Sequence, residues 1–203
     1  MPKTTFRMQD EQGKRPNRRR PKQQRAQQTV EIVLQGAVRV LARDGLDAVT
    51  TNRIAEAAGV SVGSLYQYFP DKRAIFLALH ERHAQRVQRV IQRVLDAQAA
   101  APLEPLIVAL MDGLFDEHAA DPRELHALLD QQEDGSRGLR QALGEVLMSR
   151  RLEAALPPER VQFVLPTMME VLVHEAVLSR PSGCALAAAK VEASRAVISY
   201  LRA

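Results

Sequence analysis

The sequence predicts an all-α protein with an N-terminal three-helix helix-turn-helix domain and a larger helical C-terminal domain, about nine helices in all. Three observations favour this class. Apolar residues recur at steps of three and four along most of the chain, as amphipathic helices require. No segment shows the apolar–polar alternation of a strand. Aromatic residues make up only 4% of the sequence, which disfavours a large β-sandwich or barrel.

The N-terminal helices follow from apolar spacing and from residues that favour helix ends. Gly45 is expected to end the first helix. Thr50 or Thr51, and then Ser61, are expected to be the N-caps of two short helices that a turn separates. Asp71 follows a proline and begins a long helix. The predicted helices cover residues 23–44, 51–58, 62–68 and 71–99.

Proline divides the second half of the chain into further helices. A helix is expected to begin near Pro102 and Pro105, because proline is tolerated in a first turn. Pro166 lies within an apolar helical pattern, where it predicts a kink. The other expected helix starts and breaks fall at residues 122, 134–136, 157–158 and 181–183.

The net charge is unevenly distributed along the chain. Residues 1–25 carry nine Lys or Arg and two acids, residues 26–95 nine and six, and residues 96–203 ten and sixteen. The net charge therefore passes from +7 and +3 to −6, and the basic half is expected to bind a polyanion. Residues 1–21 are predicted to be a disordered basic arm, either a solubilising tail or an arm that contacts nucleic acid.

Residues 50–69, TTNRIAEAAGVSVGSLYQYF, have the pattern of a helix-turn-helix. Ala55 and Ala58 are small enough for two short helices to cross closely, and Gly59 can end the first of them in the left-handed conformation. The core beneath the pair is expected to contain Ile54, Val60 and Leu65, and the exposed face Ser61, Val62, Gly63, Ser64, Tyr66, Gln67 and Tyr68. Small polar residues and a glycine on an exposed face suit a DNA groove.

These residues resemble the N-terminal signature of the TetR family of bacterial transcriptional regulators. The resemblance covers about residues 26–80 and rests on Thr50-Thr51, Ile54-Ala55, Ala58-Gly59-Val60-Ser61, Gly63, Leu65-Tyr66, Tyr68-Phe69 and Lys72. It implies a cytoplasmic homodimer with a DNA-binding domain at residues 22–70 and a ligand-binding and dimerisation domain at residues 71–203. It also implies a function, that of a repressor that releases a palindromic DNA operator when a small molecule binds.

The resemblance also implies which residues contact DNA. It assigns Thr51, Tyr66, Tyr68 and Lys72 to phosphates, and Asn52, Arg53, Val62, Gly63, Ser64 and Gln67 to the major groove. Arg25 of the basic flank and the cap Ser61 complete the predicted set. The side chains agree in part, because Arg53 can pair with guanine and Gln67 with adenine. Arg53 could equally be a solvent-facing charge or a phosphate contact.

The C-terminal sequence carries no signature, but its Met and aliphatic residues suit a tolerant apolar site. A small hydrophobic or amphipathic ligand is expected to contact Met111, Phe115, His118, His126, Met148, Met168, Met169 and His174. Each of these could instead be plain core. Helices near residues 159–180 and 185–202 are rich in small and apolar residues and are expected to form the dimer interface, although an Ala-rich seam within one subunit is the alternative.

Other site types are not predicted. His80 and His83 lie three apart on one helix, but no third ligand is evident nearby, so no metal site is expected. No glycine-rich phosphate loop or nucleophile elbow occurs, so neither catalytic residues nor a cofactor is expected. The lone Cys184 is more typical of a small core residue than of a redox sensor. No secretory signal or membrane span is expected, which indicates a cytoplasmic protein. The rival to a ligand-responsive regulator is a ligand-independent architectural DNA-binding protein with a filled C-terminal core.

Overall fold

A computed structural model describes residues 19–122, 125, 140–141, 143–145, 147–148, 157–179 and 183–202, with side chains from residue 23 onward. Helices and connecting turns account for these residues, and none of them lies in a strand, which confirms the all-α class. The helices are α1 (Arg19–Asp44), α2 (Thr51–Ala58), α3 (Val62–Tyr66), α4 (Lys72–Ala97), α5 (Leu103–Ala119), α6 (Pro158–Leu178) and α7 (Leu186–Arg202). The described residues between 140 and 148 are also helical.

Helices α1, α2 and α3 share one apolar cluster, which includes the fully buried Leu41, Ile54 and Leu65. Gly36 brings α1 and α2 together, because a Cβ there would lie 2.9 Å from the carbonyl oxygen of Ile54. Val60 is half-buried and packs against the same cluster. The predicted core of the helix-turn-helix is confirmed.

The predicted caps hold the short helices in place. The Thr50 hydroxyl accepts a hydrogen bond from the Arg53 amide at 3.3 Å, and the Ser61 hydroxyl accepts one from the Ser64 amide at 3.1 Å. Gly59 has a φ of 69°, the left-handed conformation that was expected to end α2. These local rules fix both ends of the turn between α2 and α3.

Helix α4 belongs to both halves of the molecule. The Asp71 carboxylate caps its first turn by accepting a hydrogen bond from the Ala74 amide at 2.8 Å. Toward this end Leu79 is buried in the N-terminal cluster. Two turns further on, Val87 and Ile91 are buried in a second cluster, with α5, α6 and α7. A displacement of α4 in the second cluster would therefore be carried to the helix-turn-helix.

The second cluster is closely packed around α5. Gly113 lies against α4, since a Cβ there would come within 2.6 Å of a Val90 methyl group. Gly144 lies against α6, where a Cβ would be 2.5 Å from the carbonyl oxygen of Gln162. That carbonyl is four residues before Pro166, which has no N–H to donate to it. The proline was predicted inside this helix, and the kink remains a prediction.

Within the described residues, only α6 is long and apolar enough to cross a bilayer by length and composition. It packs against α5 and α7, and Leu165, Met169 and Val173 are among its core residues. A core helix of a soluble protein meets the same criterion, so the finding is weak evidence for a membrane span.

Three predictions about the chain need correction. The arm was expected to be disordered through residue 21, but α1 already begins at Arg19. The third helix ends at Tyr66 and not at Tyr68. It has only five residues, of which Leu65 is buried. Cys184 is exposed and is not a core residue, since it lies before α7 begins. Predictions for residues 1–18 and for the segments 134–136 and 181–182 lie outside the described residues.

Candidate nucleic-acid interface and effector site

The outer face of α3 is open. Gly63 is exposed, and a Cβ there would meet only the Ser61 hydroxyl, at 4.0 Å. Val62 is 37% exposed and Gln67 is also exposed, whereas Leu65 between them is fully buried and anchors the helix. The face predicted to read the major groove is therefore presented as expected, with its backbone accessible at Gly63.

Two tyrosines border this face. The hydroxyl groups of Tyr66 and Thr51 lie 3.1 Å apart and share a hydrogen bond across the start of α2. Tyr66 is 49% exposed and Tyr68 36% exposed. The hydroxyl of Tyr66 is thus positioned by its neighbour and still accessible, which suits a donor to a phosphate oxygen.

The two serines at the start of α3 bind each other. The hydroxyl oxygens of Ser61 and Ser64 lie 2.8 Å apart, and Ser61 also caps the helix. Ser64 is half-buried, so it is less open than its neighbours Val62 and Gly63. Contact between Ser64 and a base remains a prediction.

Arg53 is held beside the end of α1. Its guanidinium lies 3.4 Å from a carboxylate oxygen of Asp44 and 3.4 Å from the carbonyl oxygen of Ala48. The pKa of Asp44 is lowered, first by the hydrogen bond from Arg43 and also by the charges of Arg43 and Arg53. Asp44 therefore stays ionised, and Arg53 must leave it to pair with guanine. Asn52 beside it is exposed.

Lys72 is the first residue of α4 and directly follows the N-cap Asp71. The side chain is exposed, with its Nζ 5.5 Å from the centroid of the Phe76 ring. The Asp71 carboxylate accepts a hydrogen bond from the Ala74 amide, so that amide is not available to a phosphate. Lys72 would thus act through its own charge. Arg25 is exposed on α1, and its DNA contact remains a prediction.

Comparison with known proteins agrees with this geometry. Residues 33–79 match the sequence model of the bacterial regulatory proteins of the tetR family. The match spans the end of α1 through the first turns of α4, which is the helix-turn-helix described above. This segment of the chain is therefore similar to the DNA-binding segment of bacterial regulatory proteins of the tetR family.

Two curated relatives match the same segment of this chain. A nucleoid occlusion factor SlmA of Actinobacillus pleuropneumoniae is 47% identical over 62 residues, which are 30% of this chain and 29% of that protein. The HTH-type transcriptional repressor AcnR of Corynebacterium glutamicum is 39% identical over 59 residues, 29% of this chain and 31% of the repressor. The chain thus spans about three tenths of the length of these relatives.

The fold as a whole matches a solved structure. A TetR-family transcriptional regulator from Streptomyces coelicolor aligns with a TM-score of 0.64 and 23% identity, over 85% of this chain and 97% of that one. This likeness extends through the C-terminal domain and concerns the fold alone.

A small cavity lies among the helices of the C-terminal half. It has a volume of about 20 Å³ and lies beside Pro166, with His118, Leu143 and Glu170 among its described walls. Met111, Phe115 and Met169 are buried in the packed cluster, and Met148 and Met168 pack against it. Of the predicted ligand-binding residues that the structure describes, His118 is among the described walls of this cavity, whereas the methionines belong to or pack against the cluster. His126 lies outside the described residues, and ligand contact at the others remains a prediction.

Three histidines from different helices meet next to this cavity. His83 of α4, His118 of α5 and His174 of α6 have ring nitrogens within 4.8 Å of one another. The sequence places His80 and His83 as a pair on one helix, but in the structure His83 lies near the histidines of α5 and α6. His80 is not part of this group; burial lowers its pKa, and the neighbouring His83 lowers it further. No local pattern reveals the triad, because its members are 35 and 56 residues apart and only the packing of three helices unites them.

Proposed function

We propose that this protein is a cytoplasmic homodimeric repressor of the TetR family that binds a palindromic DNA operator and releases it when an effector binds the C-terminal domain. The observation that carries the proposal is the open face of α3 around Gly63, which a groove of DNA can approach to backbone distance. The basic charge of the first 95 residues, +7 and +3 in two segments, supports binding to a polyanion.

A palindromic operator requires two copies of α3. Recognition helices of a dimer enter successive major grooves when they lie about 34–36 Å apart. A second copy of the chain is therefore part of the proposal.

The surface of α6 and α7 supports dimerisation. Phe163 is 72% exposed and Val171, two turns further along α6, is 50% exposed; Val191 of α7 is 55% exposed. Large apolar side chains at such exposure favour burial against a partner. Ala193 and Val197 of α7 are buried within the subunit and are not available to a partner.

The proposed mode of action has one rival. AcnR is named a repressor, and SlmA a nucleoid occlusion factor; both resemble this chain in the DNA-binding segment. A cavity of about 20 Å³ has room for little more than a water molecule, and this favours a ligand-independent DNA-binding protein as the second candidate. The two candidates differ in whether an effector changes operator affinity.

The test begins by selecting bound sequences from a random DNA pool with the full chain. A repressor of this kind is expected to select one palindrome. Gly63→Val is expected to abolish binding to that palindrome, because the added methyl groups occupy the space that the groove needs. Gly63→Ala, which adds one methyl group, is expected to have a smaller effect.

Folding is not expected to limit this test, since Gly63 is exposed and a Cβ there would meet only the Ser61 hydroxyl, at 4.0 Å. Thermal unfolding and light scattering verify that each variant remains a folded dimer. If folded Gly63→Val binds the selected palindrome as tightly as the wild type, α3 is not the recognition helix.

A further inference from the structure

We propose that His83, His118 and His174 bind a divalent metal ion of the Zn²⁺ class, and that the ion is the effector that loosens operator binding. The metal site does not depend on the function proposed above, whereas the effect of the ion on DNA binding does. Three neutral imidazoles are a ligand set that zinc, cobalt and nickel accept. His83 is 7% exposed and His118 3% exposed, so the set is assembled inside the protein.

Two of the rings are held in the orientation that metal binding requires. Nδ1 of His83 lies 3.1 Å from a carboxylate oxygen of Asp121, and Nδ1 of His118 lies 2.7 Å from the carbonyl oxygen of Leu114. Both oxygens can only accept, so each Nδ1 carries the proton. Nε2 of each ring is then the nitrogen that can bind a metal, and such outer hydrogen bonds are typical of histidine ligands.

Arg86 also lies beside Nδ1 of His83, and its N–H groups can only donate. One of its nitrogens lies 3.3 Å from Nδ1 of His83, but Arg86 also donates to Glu117 at 2.6 Å and to Asp121. With the guanidinium bound to two carboxylates, Asp121 remains the partner of the imidazole N–H.

The ring nitrogens of the three histidines must come closer together when the ion binds. Zinc–nitrogen bonds of about 2.0–2.1 Å in a tetrahedral site place the nitrogens about 3.3 Å apart. One ring nitrogen of each histidine lies within 4.8 Å of those of the other two, so rotations of the rings that present Nε2, together with shifts of the helices, would complete the site.

The small cavity adjoins the triad. His118 is one of its walls, and the volume of about 20 Å³ accommodates a water molecule. Three protein ligands and a water are the arrangement of an open zinc site. A cavity of this size, which is too small for an organic effector, can still hold the water of such a site.

The position of His83 connects the ion to DNA binding. His83 lies on α4 between Leu79 of the N-terminal cluster and Val87 of the C-terminal cluster. Drawing His83 toward α5 and α6 would displace α4 where the two clusters meet. The helix-turn-helix packs on the start of α4, so the spacing of the two recognition helices would change, and an ion that prefers this state would release the operator.

The alternative is a purely structural cluster. The rings of His83 and His118 lie edge to face with centroids 4.8 Å apart, and those of His118 and His174 are 5.0 Å apart. Such packing alone would stabilise the core without any ion. The test must therefore measure metal binding itself.

The experiment titrates chelator-treated, tag-free full chain with Co²⁺ alone, whose visible absorption reports tetrahedral coordination. One ion per subunit is expected, and Zn²⁺ is expected to displace it. His174→Gln removes one ligand at a half-buried position and is expected to abolish the absorption. His80→Gln, a histidine of α4 outside the triad, is the matched control and is expected to bind like the wild type.

A second pair of variants tests the role of Asp121 as a positioning residue. Asp121→Asn is expected to weaken Co²⁺ binding about 10–100-fold while the spectrum keeps its shape. Glu117→Gln removes the other carboxylate partner of Arg86 and is expected to leave Co²⁺ affinity unchanged. Thermal unfolding of each metal-free variant verifies the fold.

Operator binding is measured on the same samples, with and without Zn²⁺. The ion is expected to weaken operator binding about tenfold, within the ~5–150-fold range of allosteric coupling, in the wild type and in His80→Gln but not in His174→Gln. Failure of folded wild type to bind Co²⁺ one to one overturns the metal centre. A loaded site with unchanged or tighter operator binding overturns its effector role. Absence of any preferred DNA would instead refute the proposed function, and the cobalt titration would still decide the metal centre.

Discussion

At the scale of single residues, some of the side chains predicted to contact DNA already make hydrogen bonds or ion pairs within their own domain. Tyr66 and Thr51 share a hydrogen bond at 3.1 Å, which restricts the tyrosine before any DNA arrives. Arg53 is restricted in another way, since its guanidinium lies beside Asp44. The tyrosine is therefore ready to contact a phosphate, whereas the arginine must first move to contact a base.

Tyr66→Phe is expected to reduce operator affinity by about 1 kcal/mol, the typical net value of one hydrogen bond, without changing the preferred sequence. The ring remains, so the packing around Leu65 is kept. Fluorescence anisotropy with the selected operator and with single-base variants measures both quantities. Tyr200→Phe, which removes a hydroxyl in α7 far along the chain, serves as the control and should bind like the wild type. A changed order of preference among the single-base variants would mean that Tyr66 reads a base.

At the scale of elements, the sequence predicts what local rules determine. The caps Thr50 and Ser61 and the left-handed Gly59 are each set by a few neighbouring residues, and all three are found in the structure. Asp71, predicted to be the first residue of the long helix, is its N-cap. The start of α1 was misplaced by four residues because a basic, polar segment gives no apolar signal for helix. Burial that depends on distant segments could not be predicted either.

Three glycines show that contacts between distant segments could not be predicted from the sequence. Gly36, Gly113 and Gly144 read as ordinary helix residues in the sequence, yet each lies where a Cβ would come within 3.0 Å of another segment. The histidine triad is similar, since His83, His118 and His174 come from three helices. The geometry of these contacts depends on how helices cross, and no spacing within one helix records it.

Gly144→Ala is expected to destabilise the C-terminal domain by about 1–3 kcal/mol, the usual cost of overpacking. The added Cβ would lie 2.5 Å from the Gln162 carbonyl oxygen, which belongs to the backbone of α6 and cannot swing away like a side-chain tip. Urea unfolding followed by circular dichroism measures the free energy. Gly63→Ala is the control, because the exposed helical glycine has space for a methyl group and should gain up to about 1 kcal/mol. Equal stability of Gly144→Ala and the wild type would show that α6 is free to shift.

At the scale of the whole molecule, two apolar clusters share α4, and the charge changes sign between the two halves. Leu79 and Val87 mark where one cluster gives way to the other, and His83 lies between them. Residues 96–203 carry a net charge of −6, which would repel DNA, while the first 95 residues attract it. This asymmetry favours an approach to DNA through the first 95 residues, with the acidic C-terminal half directed away.

The basic arm is expected to add to this attraction. Residues 1–18 contain five Lys or Arg and two acids, and α1 begins only at Arg19, so their removal leaves the first helix intact. The truncated protein is expected to bind every DNA sequence more weakly, and the slope of log affinity against log salt concentration should fall by about 0.9 for each phosphate that the arm neutralises in the full chain. Replacing the five basic residues by Gln in the full-length chain separates charge from length and should lower the slope equally. Operator and non-specific DNA are titrated across a series of salt concentrations, and an unchanged slope in either variant would show that the arm does not bind phosphates.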